Sequence, residues 1–235
     1  MTSDSVYLYS RYDCFVFSCK VTDDAPPSYS KSFIRDCVNA KTQIFWDIED
    51  FPIPDGLDPE SVCQKIKQGL DFRGDVSISV YYEDKTVPEE VLDKYRDARI
   101  TLHPHGGKST RLDNMILDIL LWSMDNPSDY YHPVNLVVIS RNISKETLLN
   151  NVLQSCTCTE YNVVVVLPDN FLSQGMPPLP GVNSSWLWKS LLDGGEPIDQ
   201  SLIDPLVDPL ELVDLSRDPT YYCEVCDGPR PTGLN

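Results

Sequence analysis

Apolar residues along this chain fall into two rhythms. Short unbroken runs, Ile44-Phe45-Trp46, Leu136-Val137-Val138-Ile139 and Val163-Val164-Val165-Val166-Leu167, have the length and continuity of strands covered on both faces. Between them lie longer stretches with apolar residues at helical spacing. The strongest is 109–124, where Leu112, Met115, Ile116, Ile119 and Leu120 repeat at i, i+3, i+4, i+7 and i+8. Strands are predicted at 43–48, 75–82, 99–103, 134–140 and 162–167. Helices are predicted at 59–70, with Asp58 as N-cap and Pro59 in the first position, and at 88–97, 109–124, 145–154 and 184–192.

Strands alternating with helices at this spacing imply a mainly parallel sheet with helices on both faces, a three-layer α/β architecture. Right-handed crossovers then lead to a five-stranded, Rossmann-like sheet of order 3-2-1-4-5. Residues 1–40 hold two strand-like pieces, 6–9 and 14–21, and are left as an unassigned N-terminal extension. After Gly194-Gly195, prolines 197, 205, 209, 219, 229 and 231 interrupt every candidate helix, so 196–235 reads as a tail appended to a domain over 41–195.

In such a sheet the chain reverses direction between the first and fourth strands, and the crevice opens at their C-terminal ends. The first strand ends in Asp47, followed by Glu49 and Asp50 and a Pro/Gly turn. Asp47 either lines that crevice or simply caps the loop it begins. The fourth strand exits through Ser140 into Arg141-Asn142-Ile143-Ser144-Lys145, where a partner acid would be expected. Asp118 interrupts seven apolar residues from Met115 to Trp122. It is either a solvent-facing acid or one that needs a partner or a cation on a largely covered surface.

Four segments together carry a resemblance. They are Phe45-Trp46-Asp47-Ile48-Glu49-Asp50 with Pro52-Ile53-Pro54-Asp55-Gly56-Leu57, Val76-Ser77-Ile78-Ser79, Met115-Ile116-Leu117-Asp118-Ile119-Leu120-Leu121-Trp122, and Ser185-Trp186-Leu187-Trp188-Lys189-Ser190-Leu191-Leu192 with Gly194-Gly195. In this order, over about 41–195, they resemble the plant NYN-domain proteins, PIN-like ribonucleases related to the meiosis regulator and mRNA stability factor family. The resemblance implies a Rossmann-like PIN fold and cleavage of single-stranded RNA with Mg²⁺ or Mn²⁺ held by clustered carboxylates. Carried over, Asp47 and Asp118 match the catalytic acids, Asp50 and Asp113 fall on acidic positions, and Asp47, Asp50, Asp118 and Asn142 make the candidate metal set. Lys108, Arg111, Arg141 and Lys145 are the candidate RNA contacts. Two motifs depart from the family's pattern. Its Gly-Asp-Lys-Asp-Ala-Arg stretch reads Gly106-Gly107-Lys108-Ser109-Thr110-Arg111, and its Ser-Gly-Asp-x-Asp-Phe turn reads Ser140-Arg141-Asn142-Ile143-Ser144-Lys145. Both acids are gone from each.

Charge changes the picture further. The formal net charge is −17, and 196–235 alone carries nine acids against Arg217 and Arg230. Phosphate binding draws its affinity from Lys and Arg, so RNA contact would have to be local or metal-bridged, and the acidic tail is a candidate protein-binding segment. No run approaches the roughly 18 apolar residues of a membrane span, and the first residues lack a signal peptide's charged and apolar regions. The expectation is an intracellular, cytoplasmic protein with no membrane association and reduced cysteines. Cys223-Glu224-Val225-Cys226 is half of a zinc pattern without a second half, so zinc is not expected. Gly106-Gly107-Lys108-Ser109-Thr110 lacks the P-loop spacing, since position 102 is Leu. His103-Pro104-His105 reads as a loop, and Trp186 and Trp188 read as packing residues. Two classes stay open: a metal-dependent RNA endonuclease with an eroded acidic site, or a non-catalytic relative that binds RNA or protein. Three carboxylates within reach of one cation would favour the first. A salt bridge to Asp47 from Arg141 or Lys145 would favour the second.

Overall fold

The computed structural model describes residues 37–129, 131–141, 143, 147–174 and 182–199, with the backbone of two short strands at 5–7 and 18–20. Those two, β1 (Ser5–Tyr7) and β2 (Ser18–Lys20), pair antiparallel with Ser5 opposite Lys20. The rest of the predicted extension up to residue 36 and the tail after 199 lie outside the described residues, as does the Cys223/Cys226 pair.

The main sheet has six strands: β3 (Lys41–Asp47), β4 (Val76–Glu83), β5 (Thr101–His105), β6 (Val134–Ile139), β7 (Asn162–Leu167) and β8 (Ser184–Leu187). Every pairing is parallel and the order is β5-β4-β3-β6-β7-β8. Counted from β3 this is 3-2-1-4-5-6, the expected order with one strand added. The helices are α1 (Pro59–Gly69), α2 (Glu89–Asp97), α3 (Lys108–Asp125), α4 (Thr147–Cys158) and the short α5 (Trp188–Leu192). Among the described residues no helix is long and apolar enough to cross a membrane.

Two departures from the sequence reading have local causes. The segment 184–192 was expected to be one helix, but its first half is β8. Val164–Leu167 offers an open strand edge there, and Ser184-Ser185-Trp186-Leu187 pairs with it before turning into α5. The third strand of the α/β series begins at Thr101 rather than Arg99, because Arg99 takes a left-handed turn (φ 58°) between α2 and β5. His103 and His105 are therefore strand residues on one face, not loop histidines.

Side-chain alternation on β3 divides the interior into two cores. Ile44 and Trp46 pack with Val62 and Ile66 of α1, Leu92 and Tyr95 of α2, and Trp188 and Leu191 of α5. Phe45 and Tyr81 pack on the other face with Leu112, Met115 and Ile119 of α3 and Leu149 and Leu153 of α4. Trp186 and Trp188 are each 8% exposed, so both serve packing. Asp58 caps α1 by accepting from Ser61 N at 2.7 Å, as its spacing before Pro59 suggested.

The entry to β4 is held by a close backbone approach. A Cβ on Gly74 would lie 2.3 Å from Ala40 O and 2.5 Å from Asn39 O, against main chain that cannot swing away. Gly74→Ala is therefore expected to lower unfolding free energy by about 1–3 kcal/mol in chemical denaturation. An unchanged midpoint would show that the β3 and β4 entries can separate freely.

Candidate functional site

Position 47 is fixed by parity. Phe45 faces α3, so Asp47, two residues on, faces it as well, at the C-terminal end of a central strand. Arg111 lies four residues before Met115 and eight before Ile119, on the buried stripe of α3. The two side chains meet: Arg111 Nε lies 3.0 Å from both Oδ1 and Oδ2 of Asp47. Each is only 3% exposed. Asp47 Oδ1 also accepts from the backbone N–H groups of Glu49 (3.1 Å) and Asp50 (3.4 Å), so the carboxylate caps its own loop as well. Burial pushes the Asp47 carboxyl above its usual range, with the Arg111 hydrogen bond pulling against it and the charge of Asp50 adding to it.

The neighbouring acids are engaged too. Asp50 receives Lys108 Nζ (3.3 Å) on Oδ1 and the backbone N–H of Arg141 (3.3 Å) on Oδ2, while Arg141 Nη2 reaches Asp50 O at 3.5 Å. Glu49 Oε1 accepts from Glu83 N (3.0 Å) and from the Thr86 hydroxyl. Glu83 Oε2 stands 4.0 Å from Arg111 Nη1, which is buried without a hydrogen-bond partner.

Asp118 follows a different course. It accepts from Tyr81 Oη at 2.8 Å and lies 3.4 Å from His103 Nδ1, with 34% of its side chain exposed. Two turns along α3 from Arg111, it is partly buried and turns to Tyr81, the residue that pairs with Asp47 across β3 and β4. Tyr81 stacks on His103 (4.7 Å, 15°) and on His105 (5.9 Å, 14°). Burial, then the Asp118 hydrogen bond, hold the Tyr81 hydroxyl far above its usual range, so it remains a donor. Burial pulls His103 below its ordinary value, Asp118 opposes that, and His105 reinforces it.

Placed together, the expected site residues sort as follows. Asp47 and Asp50 share the loop after β3, Asp118 stands over Tyr81, and Lys108 and Arg141 both contact Asp50. Arg111, expected at RNA, is instead 2% exposed and committed to Asp47. The anticipated bridge to Asp47 is thus made by Arg111 rather than Arg141. Lys145, Asn142 and Ser144 lie outside the described residues. Helical periodicity could have found this role, since Arg111 falls on the stripe of Met115 and Ile119.

A hard divalent cation requires several oxygen ligands in near-octahedral array. Both Asp47 oxygens already face a guanidinium, and among the described residues no three His, Cys, Asp or Glu side chains form a metal-holding group. The described residues do not fit the expected Mg²⁺ or Mn²⁺, and Arg111 supplies the compensating charge beside Asp47.

Residues 41–175, more than half of the chain, match the NYN domain family. The chain is a member of that family. NYN proteins are PIN-like nucleases, generally dependent on divalent metals and generally RNA-binding. No curated protein matches the chain. Among solved structures there is similarity to an enoyl-(acyl-carrier-protein) reductase from Anaplasma phagocytophilum in complex with NAD. It has 7% identity over 72% of this chain and 89% of that one, at a TM-score of 0.28, too low to support any argument.

Two outcomes follow for this NYN domain. Arg111→Met should cost about 3–5 kcal/mol, because it strands a buried carboxylate. The double variant Asp47→Asn/Arg111→Met should recover part of that loss, and the wild-type melting temperature should be unchanged by Mn²⁺ or a chelator. Thermal melts of the three proteins check both statements. The second outcome concerns pH. With its folded pKa below the unfolded 6.5, His103 takes its proton more readily in the unfolded chain. Its contribution to stability is full above that value and is lost as pH falls through the folded pKa. His103→Asn should flatten the fall in melting temperature on the acid side.

Proposed function

We propose that this NYN domain is a pseudonuclease: it keeps the family's fold and a place in RNA metabolism and gene regulation without cleaving RNA. The observation that supports the reading is the buried Asp47–Arg111 pair. A carboxylate whose two oxygens serve one guanidinium and two backbone N–H groups has little left for a cation. The loss of acids at 107, 109, 142 and 144 relative to the family's pattern removes the charge a metal would need. In this reading the domain extends over 41–195, and the acidic tail is an appendage suited to protein contact. Any RNA contact would use Lys108 and Arg141, exposed cations beside Asp50, together with Lys145, which follows Arg141 in the sequence.

The purified full chain should show no cleavage of fluorophore-labelled single-stranded RNA beyond buffer rates in Mg²⁺ or Mn²⁺. Restoring Asn142→Asp with Ser144→Asp should leave activity absent while Arg111 stays in place. Cleavage by the wild type that disappears in Asp47→Asn and on chelation would make the chain a nuclease with an unusual ligand set.

A further inference from the structure

The outer face of α3 poses a problem that the crevice does not. Met115, Ile116, Ile119 and Leu120 of this helix are buried in the core, yet Leu117, Leu121 and Met124 are 43%, 49% and 67% exposed. Their spacing of i, i+4 and i+7 aligns them in one stripe. At 100° per residue the stripe lies opposite the buried positions. Between Met115 and Met124 the helix thus carries apolar residues on both its inner and its outer side, as a helix with neighbours on two sides does. Here the inner side has its neighbours, and the outer side has no cover among the described residues. Leu172, by contrast, is exposed singly and needs no explanation.

The border of the stripe is acidic. Asp113 and Asp125 are exposed, Asp118 is one-third exposed, and no Lys or Arg occurs between Arg111 and the end of the helix. Arg111 itself is buried, and Lys41 at the far end is held by Asn126 Oδ1 at 2.6 Å. We infer that the outer face of α3 docks a basic amphipathic helix of a partner protein, with apolar residues laid along Leu117, Leu121 and Met124 and Lys or Arg against Asp113 and Asp125. The stripe runs about 10 Å along the axis and is one helix wide, which suits a helix-on-helix seam. A second copy would set Asp113 and Asp125 against their own kind on a chain of net charge −17. RNA would bring phosphates to the same acids. The face points away from Asp47, so this inference does not depend on the pseudonuclease reading.

The test uses the full chain and a fluorescent, Leu/Lys-patterned amphipathic helical peptide, with a Leu/Glu peptide of the same pattern as control. Saturable one-to-one binding of the Leu/Lys peptide alone is expected. It should weaken by about tenfold or more in Leu117→Ser/Leu121→Ser, and by a smaller factor in Asp113→Asn/Asp125→Asn. Leu172→Ser should bind as the wild type does. Circular dichroism and a melt establish that the serine pair is folded, and Met124→Ser serves as the second variant if it is not. Binding untouched by the serine pair would reduce the effect to diffuse attraction by an acidic chain and overturn the proposal. A dimer in sedimentation that the serine pair dissolves, or single-stranded RNA binding lost with it, would overturn it equally.

Discussion

Removing a carboxylate and a guanidinium from water is expensive, and their attraction offsets that only when the geometry is close and the remaining polar atoms are served. The Asp47–Arg111 pair meets most of that requirement. Nε spans both carboxylate oxygens, and two backbone N–H groups complete the acceptor's needs. One donor, Nη1, is left over and faces Glu83 at 4.0 Å. The pair joins three parts of the fold: the end of β3, the loop after it and the first turn of α3. Lys108 and the Arg141 backbone extend the same arrangement to Asp50, so the loop after β6 is tied in as well. The switch point of the sheet, where an open α/β fold normally leaves room for a ligand, is thereby closed by protein donors from several elements.

Much of this architecture was legible in the residues. The runs at 136–139 and 163–167 are apolar without a break because helices cover both faces, and that continuity marked them as central strands. Asp58 before Pro59 announced a helix start through a local hydrogen bond that depends on nothing distant. β8 was not legible, because Ser184-Ser185-Trp186-Leu187 becomes a strand only when Val164–Leu167 presents an unpaired edge. His103 and His105 were misplaced for a related reason: the left-handed turn at Arg99 shifts the start of β5, and non-glycine residues in that conformation leave little trace in sequence.

The candidate site was half legible. That Asp47 would sit at the C-terminal end of a strand beside Ser140 followed from the topology, and Trp46 pairs with Ile139 in register. Which cation would meet it did not follow. Charge proximity along the chain pointed to Arg141 and Lys145, whereas periodicity along α3 pointed to Arg111. Periodicity decides the matter, because a side chain on the buried stripe cannot reach solvent, and Asp47 is the carboxylate it meets.

The same pair bears on how the crevice is filled. Arg111 holds Asp47 at 3.0 Å and has Glu83 as a second, longer carboxylate at 4.0 Å. Lys108 and the Arg141 backbone serve Asp50 in the same way. A cation entering the crevice would have to displace the guanidinium from Asp47 before it could take either oxygen, and it would leave Arg111 buried beside a competing charge. The low dielectric that strengthens a close pair also makes that exchange costly. The acceptor atoms at the switch point are thus taken by the protein's own donors, and those donors hold the end of β3 against α3.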